Sequence, residues 1–445
     1  MKTNDTEKKI EITRRDFVKG ATMTASGLLL GSLPLSSSAY AAGSDMIKVA
    51  LVGCGGRGTG AAFNALAAGS DIKLVAMADV FENRLEESYS RLFQRFGDSE
   101  QLDVPEDHKF IGFDGYKKAT DLADVVLLVT PPGFCPRHYK YAVEKGKHVF
   151  MEKPVATDAP GVRTVLESGK IARGKKLNVV VGLQRRYQNN YREILRRIHN
   201  REIGDIVSGQ VYWNQGELWM RERKPEYSEL EYQMRNWYYF NWLCGDHILE
   251  QHVHQIDVAN WFLGQYPEKA QGMGGREVRR GKEYGQIFDH HFVEFTYPGG
   301  AVIASQCRQI PGCFMRVAEE FQGTRGVLSI DGSNNAIIRD RNQNVRFEHD
   351  GLEDPNPYQQ EIDELFESIR RGHVIDNTDY GAKSTLAGVM GRMATYTGQM
   401  IDWDAALHSQ DKLVPDHIDW DIEPPVLPDE NGYYPIPIPG QTPVL

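Results

Sequence analysis

The residues best suited to chemistry in this chain are concentrated in one stretch, positions 245 to 262, GDHILEQHVHQIDVANWF. It holds three histidines and three carboxylates among apolar residues (Ile248, Val253, Ile256, Val258, Trp261 and Phe262) whose spacing predicts a partly buried helix. On such a helix His247, Glu250, His254 and Asp257, spaced three, four and three apart, share one face, and His252 points elsewhere. That face supports three kinds of chemistry: a metal site, an acid/base pair, or a satisfied polar seam between domains.

The elements that must position this stretch begin with Met46 to Val52, a nearly continuous apolar run of the kind a buried parallel strand shows. Gly53-Cys54-Gly55-Gly56-Arg57-Gly58 follows as GxGxxG, and then a helix of small residues. In this pattern the first glycine permits the turn, the second admits a pyrophosphate, and the third lets helix pack on strand. The strand Ile72 to Ala78 ends at Asp79, where an acid hydrogen-bonds an adenosine ribose diol. Val80 rather than Arg after that acid favours NAD over NADP, because a carboxylate repels a 2'-phosphate.

A helix near Glu82 to Phe96, a strand at Asp124 to Thr130, a helix at Pro136 to Lys145 and a strand at His148 to Met151 complete an α/β, doubly wound parallel sheet of Rossmann type. Thr130-Pro131-Pro132 and Glu152-Lys153-Pro154 both fall at carboxyl ends of strands, where ligands of such sheets bind. In a site that buries a nicotinamide, the Lys153 ammonium can polarise a substrate oxygen. A helix at about 159 to 174 and a strand at Leu177 to Val181 lead to Gln184-Arg185-Arg186-Tyr187. Further strands are expected at 206–213, 270–274, 286–297, 301–308, 316–322 and 326–330, with partial alternation that predicts a large, mostly antiparallel sheet in a C-terminal α+β domain. Helices at about 357 to 371 and 380 to 399 follow.

Between the first of those strands and the opening stretch lies an aromatic loop with Trp213, Trp219, Tyr227, Tyr232, Trp237, Tyr238, Tyr239, Phe240 and Trp242. Most of these rings suit core filling. A few, with Asn214, Glu217, Arg235, Asn236 and Asn241 between them, suit a sugar-binding wall, since sugar C–H faces stack on aromatic rings.

The expected organisation is a leader at 1–41, a nucleotide domain at 46–155, a substrate and oligomerisation domain at 156–400, and an extended tail at 401–445. The tail is proline-rich from Ile422 and is left either to wrap a neighbouring subunit or to stay loose. A net charge of -10 argues against nucleic acid or an anionic membrane as partner. Five cysteines without a CxxC pair indicate neither a disulfide framework nor a cysteine zinc site. Near the start, Thr13-Arg14-Arg15-Asp16-Phe17-Val18-Lys19, an apolar run over 20–35 and Ala39-Tyr40-Ala41 look like a twin-arginine export signal with its cleavage site. The run is too short and too rich in Gly and Ser for a membrane span, so the mature protein is expected to be periplasmic, without a span, and to carry a cofactor inserted before export.

VALVGCGGRG, TPPGFCPRH, KHVFMEKP and the opening stretch together resemble the Gfo/Idh/MocA family of glucose-fructose oxidoreductase and inositol dehydrogenase. The family pattern Asp-x-Gly-x-His-x-x-Asp reads here Glu250-Gln251-His252-Val253-His254-Gln255-Ile256-Asp257, with Glu250 in place of aspartate and His252 in place of glycine. The resemblance implies NAD as cofactor, a homo-oligomer, and Lys153 with His254 as the catalytic pair, joined by Glu250 and by Asp257 as orienter of His254. It implies cofactor contacts at Gly53, Gly55, Gly56, Arg57, Gly58, Asp79, Thr130, Pro131, His138, Glu152, Lys153, Gln184 and Arg185, and substrate contacts at Tyr187 and His254; the aromatic loop adds Trp237 and Asn241 as expected substrate contacts. Glu250 and His252, where the pattern is broken, are expected to set the substrate.

The favoured function is that of an exported NAD-dependent oxidoreductase of a sugar or glycoside with tightly bound cofactor and no metal. Two alternatives stand beside it: a redox-neutral glycoside hydrolase using transient C3 oxidation, and a non-catalytic sugar-binding subunit. A metal enzyme built on His247, Glu250, His254 and His290-His291 is a further competitor.

Overall fold

The computed structural model describes residues 46–443 apart from Asn334, so the expected export signal at 1–41 lies outside the described residues. Strands β1 (Ile47–Val52), β2 (Ile72–Asp79), β3 (Lys109–Ile111), β4 (Val125–Leu128), β5 (His148–Met151) and β6 (Val179–Val181) form one parallel sheet in the order β3-β2-β1-β4-β5-β6. This is the doubly wound nucleotide-binding order, with its switch point between β1 and β4. The strands are short apolar runs such as VVLL and VVV because helices cover both faces. Those helices are α1 (Gly56–Ala67), α2 (Glu82–Phe96), α3 (Gly115–Leu122), α4 (Cys135–Glu144) and α5 (Ala159–Gly174). The sheet does not end at residue 155: α5 is a crossover that returns the chain to add β6 beside β5.

After α6 (Asn189–His199) the chain enters a second sheet through β7 (Ile206–Gln215), then crosses four helices: α7 (Glu229–Arg235), α8 (Asn241–Cys244), α9 (His247–Glu250) and α10 (Val253–Leu263). Strands β8 (Lys269–Gly275), β9 (His290–Thr296), β10 (Val302–Gln309), β11 (Arg316–Gly323), β12 (Gly326–Ile330), β13 (Ala336–Asp340) and β14 (Val345–His349) follow. Helices α11 (Pro357–Arg370) and α12 (Thr378–Thr397), strand β15 (Ile401–Asp402) and helix α13 (Trp403–His408) complete the described elements. The second sheet runs β14-β13-β12-β11-β7-β10-β9-β8-β15 and is antiparallel except where β7 pairs with β10. Along β9 and β10 every second residue is buried, as expected of a sheet with one face on the core.

One apolar core joins the sheets, running from Val52 and Val126 through Ile248 and Ile256 to Phe295 and Phe321. Helix α12 lies inside it and packs against α5, α10 and β8. The chain beyond residue 400 is not a loose extension. Its first residues form β15 and α13, and Ile418 and Tyr434 are buried with Phe240 and Trp242 in a separate apolar cluster. Among the described residues no helix is long and apolar enough to cross a membrane.

Candidate active site

The carboxyl ends of β1, β4 and β5 open onto a cavity of about 1180 Å³ whose far wall comes from the β7–α10 segment. Gly53, Gly55, Gly56, Arg57 and Gly58, Asp79, Thr130, Pro131, His138, Glu152, Lys153 and Gln184 all line it. The glycine loop is shaped for a dinucleotide. Gly53 has φ +94°, and a Cβ there would stand 2.5 Å from the Val129 carbonyl oxygen, so only glycine makes the turn. A Cβ on Gly55 would meet nothing within 4 Å, which leaves open space against the N-terminus of α1 for a pyrophosphate. The Asp79 carboxylate accepts from the amides of Cys54 (2.7 Å) and Phe81 (2.9 Å). Burial raises its pKa, and those two hydrogen bonds oppose the rise.

Arg57 turns from the glycine loop to Glu152, at 2.5 Å, and to Glu361 on α11, at 3.1 Å. It thereby ties the nucleotide loop to the strand end that carries Lys153. His138 lies against Thr130, Nδ1 to Oγ1 3.3 Å, and burial depresses its pKa to about 3, so it faces the cavity as a neutral ring.

Lys153 and the opening stretch meet at the inner end of the cavity. The Lys153 ammonium donates to the Glu250 backbone carbonyl and stands 3.4 Å from Glu250 Oε1. Burial raises the Glu250 pKa, with Lys153 opposing. The His254 ring stacks on Trp213, centroids 5.8 Å apart and planes at 23°, and its Nδ1 has no hydrogen-bond partner. Burial first, and the Lys153 charge next, hold its pKa well below the usual imidazole value. His254 is thus a neutral base beside an ammonium.

The stretch is not one helix. In a continuous helix the Glu250 carbonyl would accept the His254 amide. Here Lys153 occupies that carbonyl, the amides of Gln251 and His252 both turn to the His247 carbonyl at 3.1 Å, and the ladder breaks between α9 and α10. The expected face divides accordingly. Glu250 and His254 stay at the cavity, whereas His247 turns inward to Asp246 and His291. The side chains that lie close enough to share an ion there are Asp246, His247 and His291, so the ligand set with Glu250 and His254 is not assembled. His252 donates to or accepts from Ser305 Oγ at 2.7 Å in the core, not in the cavity.

Four other expected site residues are also turned away. Asp257 does not orient His254: it takes a bidentate pair from Arg186 (2.8 and 2.9 Å) and the Ser384 hydroxyl (2.7 Å). Arg185 points from the loop into the core, where it meets Glu319 and Tyr191. The Tyr187 hydroxyl donates to Asn377 Oδ1 at 2.7 Å, and Asn241 accepts from Tyr396 at 3.0 Å. Each of these satisfies a buried polar group, which is costly to leave unpaired.

The aromatic loop splits between the two expected fates. Trp213, Trp219, Tyr227 and Trp237 line the cavity, whereas Tyr232, Tyr238, Tyr239, Phe240 and Trp242 fill the neighbouring apolar cluster. Sequence reasoning missed Gln251, Arg221, Phe81, Phe113 and Tyr358, which also line the cavity. Gln251 adjoins Glu250 in the altered motif and was the one with a signal.

Residues 47–183 match the Gfo/Idh/MocA oxidoreductase family, NAD-binding Rossmann fold, and residues 191–329 match the GFO/IDH/MocA C-terminal domain. The chain therefore carries both domains of this family of NAD-dependent oxidoreductases, and its cofactor is NAD.

Within that class it is similar to the inositol 2-dehydrogenase of Rubrobacter xylanophilus, 25% identical over 299 residues, 66% of this chain and 74% of that one. It also matches the 2,7-anhydro-N-acetylneuraminate hydratase of Escherichia coli, 24% identical over 216 residues, 48% of this chain and 53% of that one. Its fold is like that of the scyllo-inositol dehydrogenase of Lactobacillus casei, solved with NAD(H) and scyllo-inositol: TM-score 0.61, 20% identity, 81% of this chain and 100% of that one.

Proposed function

We propose that the protein oxidises a secondary alcohol of a sugar, glycoside or cyclitol, or reduces the matching ketone, with Lys153 and His254 handling the proton. The observation that carries this reading is the convergence of the Lys153 ammonium and the neutral His254 ring at the inner end of the nucleotide cavity. Bound NAD supplies the hydride acceptor or donor. The Lys153 charge polarises the substrate oxygen, and neutral His254 accepts the hydroxyl proton as the carbonyl forms. Trp213, Trp219 and Trp237 offer ring faces to the C–H face of the substrate. The similarity to inositol 2-dehydrogenase supports a polyhydroxylated ring as substrate class.

The same reading takes the protein to the periplasm by the twin-arginine route, on the Arg14-Arg15 segment, with NAD held tightly and regenerated in place. Its test is NADH formation by the purified protein on a panel of sugars, glycosides and cyclitols, with Lys153→Ala and His254→Ala as controls. Turnover that persists in both variants contradicts it.

A second reading rests on Glu250, a third proton carrier whose pKa burial raises, directly beside Lys153. Transient oxidation at a ring carbon acidifies the neighbouring C–H. Loss of that proton expels the substituent one carbon further on, water adds to the alkene, and return of the hydride restores the alcohol. The net reaction is hydrolysis without net redox change, and the match to a protein named as a hydratase supports a reaction in which water is added. Release of phenol from an aryl glycoside without net NADH separates this reading from the first.

A further inference from the structure

The C-terminal segment from 409 to 434 is fastened across the outside of the nucleotide cavity. Arg163 Nη1 holds the carbonyls of Leu407 and Ser409 at 2.6 and 2.8 Å, and Asp158 Oδ2 accepts the Leu413 amide at 2.8 Å. Arg137 Nη2 then donates to the carbonyls of Pro415 and Asp416, both at 2.8 Å. Beyond that clamp Trp420 places its ring on Phe113 (4.9 Å between centroids) and Phe81 (5.7 Å). The segment is fixed again where Gln233 donates to the Val426 carbonyl at 2.7 Å, and where Tyr434 packs edge-on against Phe240 at 5.0 Å.

Phe81 and Phe113 are cavity residues, and Phe81 lies two residues past Asp79, the acid expected at the adenosine ribose. The Arg235 guanidinium sits 4.0 Å from the Phe81 ring centroid, on the same wall. Two aromatic rings on the cavity wall near the acid expected at the ribose suit a purine, whose flat face stacks on rings. Trp420, which does not itself line the cavity, packs on both of them. We infer that this strap is part of the dinucleotide site: by holding Phe81 and Phe113, Trp420 positions the adenine end of NAD and slows its release. The inference rests on the nucleotide reading of the cavity and extends it to the segment beyond both matched domains, which end at residue 329. Trp420 is a positioning residue, since it acts through the two phenylalanines.

The test is the rate at which full-length protein loaded with NADH releases it on a chase with excess NAD, followed by nicotinamide fluorescence well below the unfolding midpoint. Trp420→Ala and, at the other anchor, Arg137→Gln are expected to release NADH about three- to tenfold faster, and Trp420→Phe to restore near wild-type release. Affinity for ADP-ribose, which lacks the nicotinamide, is expected to fall by a similar factor in Trp420→Ala. Arg137→Gln gives an independent reading should Trp420→Ala fail to fold. Release and ADP-ribose affinity equal to wild type in the folded variants overturn the inference. If wild type binds neither NADH nor ADP-ribose, the nucleotide reading itself is overturned, and the strap's role with it.

Discussion

The ammonium of Lys153 occupies the backbone carbonyl of Glu250, the acceptor that an unbroken helix would give to the amide of His254. One lysine therefore supplies the cationic group of the site and holds open the helix break that presents His254 to the cavity. Lys153→Ala should lower turnover by about 10²- to 10⁴-fold, the range of a positioned acid/base group. Added small amines should rescue little of it, because removing the lysine also releases the break. Steady-state rates with and without methylamine check this, and full amine rescue would show that the lysine supplies charge alone.

Asp257 is tied to Arg186 and Ser384 and not to His254, so its substitution is expected to act on stability. Asp257→Asn leaves the buried Arg186 without its counter-charge and should cost about 3–5 kcal/mol. Chemical denaturation should show the loss, and the pH profile of the remaining activity should keep its shape. A shifted profile with unchanged stability would return Asp257 to the catalytic group.

Gly55 has an extended backbone, φ -71°, and open space where a side chain would go. Gly55→Val should therefore fold with a melting temperature close to wild type. Its branched side chain would fill the pyrophosphate position, and NAD affinity should fall at least tenfold, about 1.4 kcal/mol, by calorimetric titration. Unchanged affinity would place the dinucleotide elsewhere.

His138 and His252 are both buried, and burial depresses each to about 3. The unfolded chain takes up their protons near the ordinary value of 6.5 and the folded chain does not. Between pH 6.5 and 4 the unfolded state therefore binds more protons, and stability falls as pH falls. Each histidine contributes a slope of about 1.4 kcal/mol per pH unit. Urea unfolding across that range should show the decline, and His252→Gln should remove about one histidine's share. An unaltered slope in that variant would mean that His252 is charged in the folded protein.

The nucleotide half was legible because its signals are local: an apolar strand, GxGxxG and an acid follow one another within a few turns of chain. That Lys153 and His254 both reach the cavity was legible through short motifs for the same reason. What the sequence concealed depends on distant partners. Arg185 and Arg186 are adjacent, yet Glu319, 134 residues on, draws the first into the core, and Asp257, 71 residues on, draws the second. The helix break at Gln251 depends on a lysine 97 residues earlier in the chain. Short edge elements such as β3, only three residues long, carry too little pattern to stand out. By sequence the proline-rich tail is left to wrap a neighbour or to stay loose, because many of its anchors are backbone groups, which every sequence supplies, and the partners of Trp420 and Tyr434 are distant in the chain.

Lys153 and His254 are proposed to move the proton while a carbon-bound hydrogen passes to or from NAD in the same cavity. The most direct measurement uses sugars, glycosides and cyclitols deuterated at the ring carbons and follows the label by mass spectrometry. Deuterium on the nicotinamide together with a keto product is expected for wild type, and neither for Lys153→Ala or His254→Ala. Product formed without label reaching the cofactor, label transfer that survives in both variants, or a folded, NAD-loaded protein that transforms no substrate of this class would contradict it.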